Sequence, residues 1–173
     1  MKKKPLICIV SDSFVPYPIS ATGMIYNLCR QFLSEGYDVV SVHGNNETKI
    51  NSDEYNIENI EIISTKFLSG LRNKGNFQRL VFEVMLSIVL FFKCVILFKK
   101  LKDVKLIVWY GPSSFLWITI LAIKLISKAR VYYILRDIFP DWLVSVGLIK
   151  NKFLIKILEL VTFPQYSIPN RIG

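Results

Sequence analysis

Short apolar runs rich in β-branched residues alternate along this chain with longer segments whose apolar residues recur at helical spacing. The first run, Leu6 to Val10, leads into a helical pattern that continues to about Glu35 and meets Gly36. A strand, a helix and a second strand in this order form one right-handed crossover unit, and repeated units build a parallel sheet covered by helices. The sequence therefore predicts an α/β fold, with a doubly wound, mostly parallel, Rossmann-like sheet in a single domain.

Five strands and five helices follow from these patterns. The strands are predicted over residues 6–10, 37–42, 60–63, 106–110 and 131–135. The helices are predicted over about residues 20–35, 77–101, 115–128, 140–147 and 152–161. Ser20 or Thr22 is expected to cap the first helix, and Gly36 to end it. Ser113 or Ser114 is expected to cap the third.

The end of the chain breaks the alternation of strands and helices. Pro164 and Pro169 should interrupt any helix that continues beyond residue 161, because proline lacks the backbone N–H that a helix interior requires. We therefore predict a domain over residues 1–160 and an irregular tail over residues 161–173.

Charge is unevenly distributed along the chain, whose formal net charge is +9. Residues 1–65 contain five Lys or Arg and eight Asp or Glu, whereas residues 66–173 contain seventeen and five. A basic surface attracts the phosphates of nucleic acid, of an anionic membrane or of a pyrophosphate lipid. Because the sequence contains no recognition module for nucleic acid, we expect no nucleic-acid partner and favour the two lipid sources.

Two features favour a cytoplasmic location. The basic residues at positions 2–4 resemble the start of a secretion signal, but the apolar run after them is too short for one. The three cysteines lie at no metal or disulfide spacing, so no metal site is predicted and a reducing compartment is expected. They are Cys8, Cys29 and Cys94.

The predicted helix over residues 77–101 is apolar enough to raise the question of a membrane span. Residues 80–98 contain two charged side chains, Glu83 and Lys93, and a span needs about 20 predominantly apolar residues. A crossing here would put neighbouring strands of one sheet on opposite sides of the bilayer, which argues against it. The helix is then either buried against the sheet or partly exposed at a membrane surface. Four lysines follow it and suit an anionic leaflet: Lys99, Lys100, Lys102 and Lys105.

Ligands of doubly wound sheets bind beyond the carboxyl ends of the strands. The loop after the first strand, residues 11–23, is rich in small residues, and the free N–H groups at the following helix start favour anionic oxygens. Ser20, Thr22 and Gly23 are the candidate binding residues there. The loop lacks the glycine patterns of dinucleotide-binding proteins and of P-loops, so a structural turn and a phosphate or sugar contact both remain open.

The segment 133–142 has the stronger signal, because a strand delivers Arg136 and Asp137 to the same edge and aromatic residues follow. An Asp here can accept a proton from a hydroxyl or stabilise developing charge, and the aromatic rings are of the kind that stack on sugars. Alternatively, Asp137 caps the helix that starts at Pro140. His43, the one histidine, is placed at a strand end facing this cleft, as a ligand or base or as an ordinary loop residue.

Three parts of the chain together resemble the N-terminal domain of glycosyltransferase family four. Residues 131–149 resemble its strand–Asp–aromatic–Pro signature, in the form seen in bacterial L-fucosamine transferase-like proteins of surface-polysaccharide synthesis. Residues 11–23 with 33–39 resemble its opening strand, loop and helix, with Gly-Tyr-Asp-Val in place of the usual Gly-His-Asp/Glu-Val turn. Residues 109–113 resemble its fourth-strand loop, and the whole resemblance covers roughly residues 5–160.

The resemblance implies a retaining enzyme with two facing Rossmann-like domains, the first holding the acceptor and the second the nucleotide-sugar. Transfer would need no bound metal or other cofactor. Asp137 would be the catalytic residue by the reacting sugar, and Ser20–Gly23 would lie by the donor phosphates. Five further residues complete the expected substrate-binding set: His43, Tyr110, Ser113, Ser114 and Arg136.

The same resemblance implies the partners and the location. The donor would be a nucleotide-sugar, and the acceptor a sugar on a polyprenyl pyrophosphate, in the synthesis of an O-antigen (lipopolysaccharide) or capsule polysaccharide. The chain would then be cytoplasmic and peripheral at the inner face of the plasma membrane.

Two features depart from the family. No second βαβ domain follows residue 160, and the donor-binding pair of glutamates has no counterpart. We therefore expect a truncated glycosyltransferase, a half-enzyme that is inactive alone. The alternative is a non-catalytic, membrane-docked module that binds the acceptor and works with a separate donor-binding subunit. A dehydrogenase is disfavoured because the glycine fingerprint and the ribose-binding acid are missing.

Overall fold

Six parallel strands form one sheet in the computed structural model of the chain, which describes residues 4–17, 19–44, 58–65, 76–111, 113–145, 147 and 149–173. The strands are β1 (Leu6–Ser11), β2 (Asp38–Gly44), β3 (Ile60–Thr65), β4 (Val104–Tyr110), β5 (Arg130–Ile134) and β6 (Arg171–Ile172). The helices are α1 (Ser20–Ser34), α2 (Asn76–Ile96), α3 (Phe98–Leu101), α4 (Trp117–Ser127), α5 (Asp141–Ser145), α6 (Lys152–Thr162) and α7 (Pro164–Ser167). A 3₁₀ turn, Ser114–Leu116, leads into α4.

The strand order is β3-β2-β1-β4-β5-β6, so the sheet grows from β1 in one direction and from β4 in the other. The crossover from β1 to β2 runs through α1, and the crossover from β4 to β5 runs through α4. Two separate buried clusters show that α1 covers one face of the sheet, while α2 and α4 cover the other. The prediction of a doubly wound, parallel, Rossmann-like sheet is confirmed.

Alternation along β1 divides the core between the two faces. Ile7 and Ile9 pack toward α1, whereas Cys8 and Val10 pack toward α2 and α4. All four side chains are buried. Because both faces are covered, the strand is a continuous apolar run in the sequence instead of an apolar-polar alternation.

Two buried hydroxyl groups join α2 to the helical segment after β4. Ser87 Oγ donates to the Phe115 carbonyl at 2.6 Å, and Thr119 Oγ1 donates to the Ser87 carbonyl at 3.0 Å. Both side chains are fully buried, where an unsatisfied hydroxyl would be costly. These bonds fix α2 and α4 side by side on the same face of the sheet.

The long helix predicted over residues 77–101 is interrupted near its end. α2 stops at Ile96, Leu97 has non-helical dihedral angles (φ −90°, ψ 23°), and α3 begins at Phe98. Across the ranges that the structure describes, no helix is long and apolar enough to cross a membrane. One face of α2 is buried against the sheet, through Phe82, Leu86, Leu90 and Cys94.

The prediction of an irregular tail over residues 161–173 is wrong. α6 continues to Thr162, α7 follows, and β6 pairs in parallel with β5. Pro164 is tolerated because it begins α7, where an N–H would have no partner within the helix. Asn170 fastens this segment to β5, since its N–H donates to the Val131 carbonyl at 2.8 Å and its Oδ1 accepts from the Val131 N–H at 2.9 Å.

Lys128 ends α4 in the left-handed conformation (φ 57°, ψ 23°), which costs a residue with a Cβ about 1–2 kcal/mol. We expect Lys128→Gly to raise the free energy of unfolding by about 0.5–1 kcal/mol, because glycine avoids that strain but loses more entropy on folding. Urea unfolding measures the change. Lys128→Ala is the control, since it removes the same side chain and keeps the strain; an equal gain in both variants would contradict the prediction.

Asn170→Ala should lower the free energy of unfolding by about 1–3 kcal/mol, because the Val131 N–H loses its acceptor beside a buried side chain. Thermal and urea unfolding of the two proteins would measure the loss. Asn27 is exposed in the middle of α1, so Asn27→Ala is the matched control and should be neutral or slightly stabilising. Equal stability of Asn170→Ala and the wild type would show that residues 163–173 contribute little to the fold.

Candidate functional site

The sheet reverses its direction of growth between β1 and β4. In open parallel sheets such a reversal is where a ligand crevice is expected, at the carboxyl ends of the two strands. The connection after β1 crosses one face and the connection after β4 crosses the other, so the two loops diverge. The loop after Ser11 and the turn after Tyr110 form the walls. The end of β5 lies next to the second wall, because β5 pairs with β4.

The loop after β1 is polar and yet buried. Ser11 Oγ donates to the Ser13 carbonyl at 2.7 Å, and Ser13 Oγ donates to Asp12 Oδ1 at 3.0 Å. The exposed fraction of Asp12 is 8 %. Asp12 is thus a carboxylate at the switch point that is not among the predicted site residues. Its position, directly after an apolar strand, was the signal in the sequence.

Gly44, the last residue of β2, lets this loop lie directly on the sheet. A Cβ at position 44 would lie 2.7 Å from the Asp12 carbonyl oxygen and 2.7 Å from Leu86 Cδ2 of α2. Both distances are far below van der Waals contact, so any larger residue would displace the loop backbone and the Leu86 side chain.

The three candidate residues at the start of α1 differ in accessibility. Ile19 occupies the N-cap position, so the predictions that Ser20 or Thr22 caps the helix are wrong. Thr22 is buried, and its Oγ1 donates to the carbonyls of Tyr17 and Ile19 at 2.6 and 2.7 Å. Ser20 is exposed, and a Cβ on Gly23 would meet no atom within 4 Å. Ser20 and Gly23 are therefore accessible to a ligand, whereas the Thr22 hydroxyl shapes the loop.

The turn after β4 contains buried polar groups. The Tyr110 O–H donates to Met24 Sδ of α1 at 3.7 Å, which joins the two walls of the crevice. Ser113 Oγ and Trp109 Nε1 are buried, and neither has a hydrogen-bond partner among the described residues. Ser113 makes no capping hydrogen bond, and Ser114 is already the first residue of the 3₁₀ turn, so the predicted capping is not observed.

Arg136 and Asp137 follow β5, and both side chains are exposed. Within the described part of the chain, neither makes a hydrogen bond or an ion pair. Asp137 lies four residues before the first residue of α5, Asp141, so the interpretation of Asp137 as the helix cap is wrong. Phe139 is buried edge-to-face against Phe115, with ring centroids 5.8 Å apart, and belongs to the core.

A buried phenol, Tyr133, lies behind Asp137. Its ring stacks on Trp109 with centroids 4.2 Å apart, and its O–H donates to Gln165 Oε1 of α7 at 3.5 Å. Burial raises the pKa of Tyr133, and Tyr166 and the Asp137 carboxylate raise it further. Asp137 follows the last residue of β5, Ile134, by three residues, so its backbone lies at the carboxyl edge of the sheet.

His43 lies elsewhere than predicted, inside β2 and opposite Ser11 and Ser64 in the strand register. Its exposed fraction is 0 %, and its ring stacks on Phe14 with centroids 5.1 Å apart. Its Nδ1 lies 3.0 Å from Ser41 Oγ. Burial, with a smaller contribution from Lys93, lowers the pKa of His43 to about 3. The imidazole is therefore a neutral, buried group near pH 7, and the predicted position at an open strand end is wrong.

Several other features of the molecule lie away from the crevice. A pocket of about 360 Å³ opens at the opposite, amino-terminal edge of the sheet, where Lys100 pairs with Glu61. Over the described residues, no group of three or more His, Cys, Asp or Glu could hold a metal ion. The three cysteines are free and buried, and burial raises the pKa of Cys29 and Cys94 to about 12, so they are packing residues near neutral pH.

No protein-family model and no curated protein matches the chain. Among solved structures, the C-terminal domain of the PF1911 hydrogenase from Pyrococcus furiosus has a TM-score of 0.54 and 19% identity, over 78% of this chain and 94% of that one. TcCGT1 in complex with UDP has a TM-score of 0.49 and 11% identity, over 77% of this chain and 28% of that one. The DNA/pantothenate metabolism flavoprotein from Streptococcus pneumoniae has a TM-score of 0.38 and 14% identity, over 89% of this chain and 77% of that one. At these identities the likeness concerns the fold alone.

The stability of the fold should depend on pH through His43, the one histidine of the chain. Its folded pKa of about 3 lies below the ordinary value of 6.5, so the unfolded chain takes up a proton first as the pH falls. We expect full stability above pH 6.5 and a loss of about 2 kcal/mol in the free energy of unfolding between pH 7 and pH 5. Urea unfolding at these pH values measures it.

His43→Gln should remove most of this pH dependence, and an unchanged dependence in the variant would contradict the prediction. If the variant does not fold, NMR titration of the wild-type imidazole gives a direct check. The ring should stay neutral on acidification through pH 5, and protonation near the ordinary value of 6.5 would show that the ring is not buried as described.

Proposed function

We propose that this domain is the acceptor-side half of a retaining sugar transferase that uses a nucleotide-sugar as donor. In this proposal the acceptor sugar occupies the crevice at the carboxyl ends of β1, β4 and β5, and a second domain presents the donor from the facing side. Asp137 is the catalytic residue, and Ser20, Gly23, Ser113 and Arg136 contact the substrates.

The observation that carries this proposal is the state of the Asp137 carboxylate. It is exposed beside the switch point, and it makes no hydrogen bond or ion pair with another described residue. Such a carboxylate is available to accept a proton from a sugar hydroxyl or to stabilise positive charge at a reacting anomeric carbon. The segment around it, residues 131–149, is also the part of the sequence that resembles the glycosyltransferase signature.

Hydrogen-bond donors along the same edge support an oxygen-rich substrate. Ser113 Oγ, in the turn after β4, has no hydrogen-bond partner among the described residues, and the exposed Arg136 is next to Asp137 in the sequence. Sugars and phosphates supply acceptors for such groups, and a guanidinium binds phosphate through two parallel hydrogen bonds.

For the acceptor, we propose a sugar carried by a polyprenyl pyrophosphate, as in the synthesis of an O-antigen or capsule polysaccharide. The support is electrostatic, since residues 66–173 contain seventeen Lys or Arg against five Asp or Glu. Cations concentrated in this part of the chain favour an anionic, pyrophosphate-bearing lipid. The protein would then act at the inner face of the plasma membrane as a peripheral protein.

A non-catalytic module that only binds the acceptor is the second candidate. It would use the same crevice without needing a carboxylate at position 137. A module that only binds the acceptor gives this carboxylate no chemical task, whereas transfer requires a group that accepts a proton or stabilises positive charge. The exposed Asp137 therefore favours the catalytic role.

Asp137→Asn should lower the rate of sugar transfer about 10²–10⁴-fold, because an amide neither accepts the proton nor carries the charge. The measurement is transfer of a labelled sugar into lipid-extractable product, in membranes of cells that lack the gene and receive either protein. Since Asp137 is exposed, stability should change by less than about 0.5 kcal/mol.

Asp141→Asn is the matched control, because Asp141 is an exposed carboxylate four residues further on, at the start of α5. It should leave the transfer rate nearly unchanged. Equal rates for Asp137→Asn and the wild type would favour the non-catalytic module. Sugar transfer from a nucleotide-sugar by the purified chain alone would overturn the assignment of a half-enzyme.

A further inference from the structure

The outward face of α2 is apolar, which is the reverse of an ordinary surface helix. Five apolar side chains share it, because spacings of seven, four, three and one residue keep them within about 100° of one another around the helix. Their exposed fractions are 37 % for Val81, 36 % for Ile88, 59 % for Phe92, 44 % for Val95 and 77 % for Ile96. The two charged side chains between residues 80 and 98, Glu83 and Lys93, are not on this outward face. Lys93 Nζ donates to the Ser64 carbonyl of β3, and Glu83 is half-buried with an interaction of its own.

The neighbouring helices extend this surface. α4 is held beside α2 by the Ser87 and Thr119 hydroxyls, and its Leu125 side chain is 70 % exposed. Phe98 of α3 is 48 % exposed at the end of α2. We call this surface the apolar face and define it by its exposed side chains: Val81, Ile88, Phe92, Val95, Ile96, Phe98 and Leu125.

Exposed cations lie at both ends of the apolar face. α2 and α4 both return to the amino edge of the sheet, so their C-terminal ends lie together there. The exposed cations at that end are Lys99, Lys100, Lys102, Lys105, Lys128 and Arg130, of which Lys100 pairs with Glu61. They outnumber the acidic side chains of the pocket there, which are Asp38, Glu61 and Asp103. At the other end α6 packs near the first half of α2, where Leu158 shares a buried cluster with Leu80 and Val84, and it adds the exposed Lys152 and Lys156.

We propose that the apolar face docks on the surface of an anionic membrane. Apolar side chains of this size enter the boundary between headgroups and acyl chains, and cations beside them bind anionic headgroups. The proposal concerns the outer side of α2 and α4, which includes none of the crevice residues, and it does not depend on sugar transfer. Either proposal can therefore fail without the other.

A second copy of this chain fits the apolar face less well. Cations outnumber acidic side chains at both ends of the face, although Glu159 lies on α6 with Lys152 and Lys156. Two copies would therefore bring net positive charge together, whether their helices met in parallel or in antiparallel orientation. An anionic leaflet accommodates the apolar side chains and the cations at once.

The experiment is flotation of the full chain with vesicles of phosphatidylcholine mixed with phosphatidylglycerol, compared with vesicles of phosphatidylcholine alone. We expect strong binding to the anionic vesicles and weak binding to the neutral ones, with the difference reduced by added salt. Lys99→Gln with Lys102→Gln should weaken binding about fivefold for each cation removed. Arg30→Gln, an exposed cation on α1 across the sheet, should leave binding unchanged.

Phe92→Ser with Ile96→Ser should abolish flotation and keep the melting temperature, because both side chains are largely exposed. Phe92→Leu with Ile96→Leu keeps the apolar character and should bind as the wild type does. Equal binding to neutral and anionic vesicles would overturn the role of the cations. Absence of flotation, with self-association that the serine variant abolishes, would assign the face to a second copy and overturn the proposal.

Discussion

Parallel pairing of β1 with β2 on one side and with β4 on the other is the constraint on which the rest of the structure depends. It buries β1 on both faces and sends the two following connections to opposite faces of the sheet. The polar residues Ser11, Asp12 and Ser13 lie where these connections part. The crevice is therefore a product of topology before any of its side chains is considered.

The residues around the crevice fall into two groups by what their polar atoms do. Ser11, Ser13 and Thr22 use their hydroxyls to hold the loop after β1 and the start of α1. Asp137 and Arg136 are exposed and make no such bond within the described chain. A site that orients a substrate needs a rigid surround and a few polar groups that are free to bind, and these two groups of residues supply both.

The sequence was sufficient for much of the fold, because strands buried on both faces and helices with a regular spacing leave clear patterns. It failed where a tertiary contact decides. β2 extends to Gly44, two residues beyond its predicted end, so His43 lies in the core and not in a loop. Pro164 begins a helix instead of ending one. α2 is apolar around most of its circumference, so its sequence alone could not tell which side faces the sheet.

The candidate site shows the same division. The rule for the carboxyl ends of parallel strands predicts where a site would be, and Asp137 follows the end of β5 at that edge. The accessibility of each side chain did not follow, because it depends on partners distant in the chain. Phe139 belongs to the core through Phe115, and Tyr133 is covered through Gln165.

The close approach at Gly44 limits how this protein can vary. The Asp12 carbonyl and Leu86 of α2 both come to within 2.7 Å of where a side chain would begin. Even alanine would require the loop backbone at Asp12 to shift and the Leu86 side chain to move. Substitution is therefore costly at this position and tolerated at exposed positions such as Ser20. A protein in which this loop packs directly on the sheet needs glycine at the last position of β2.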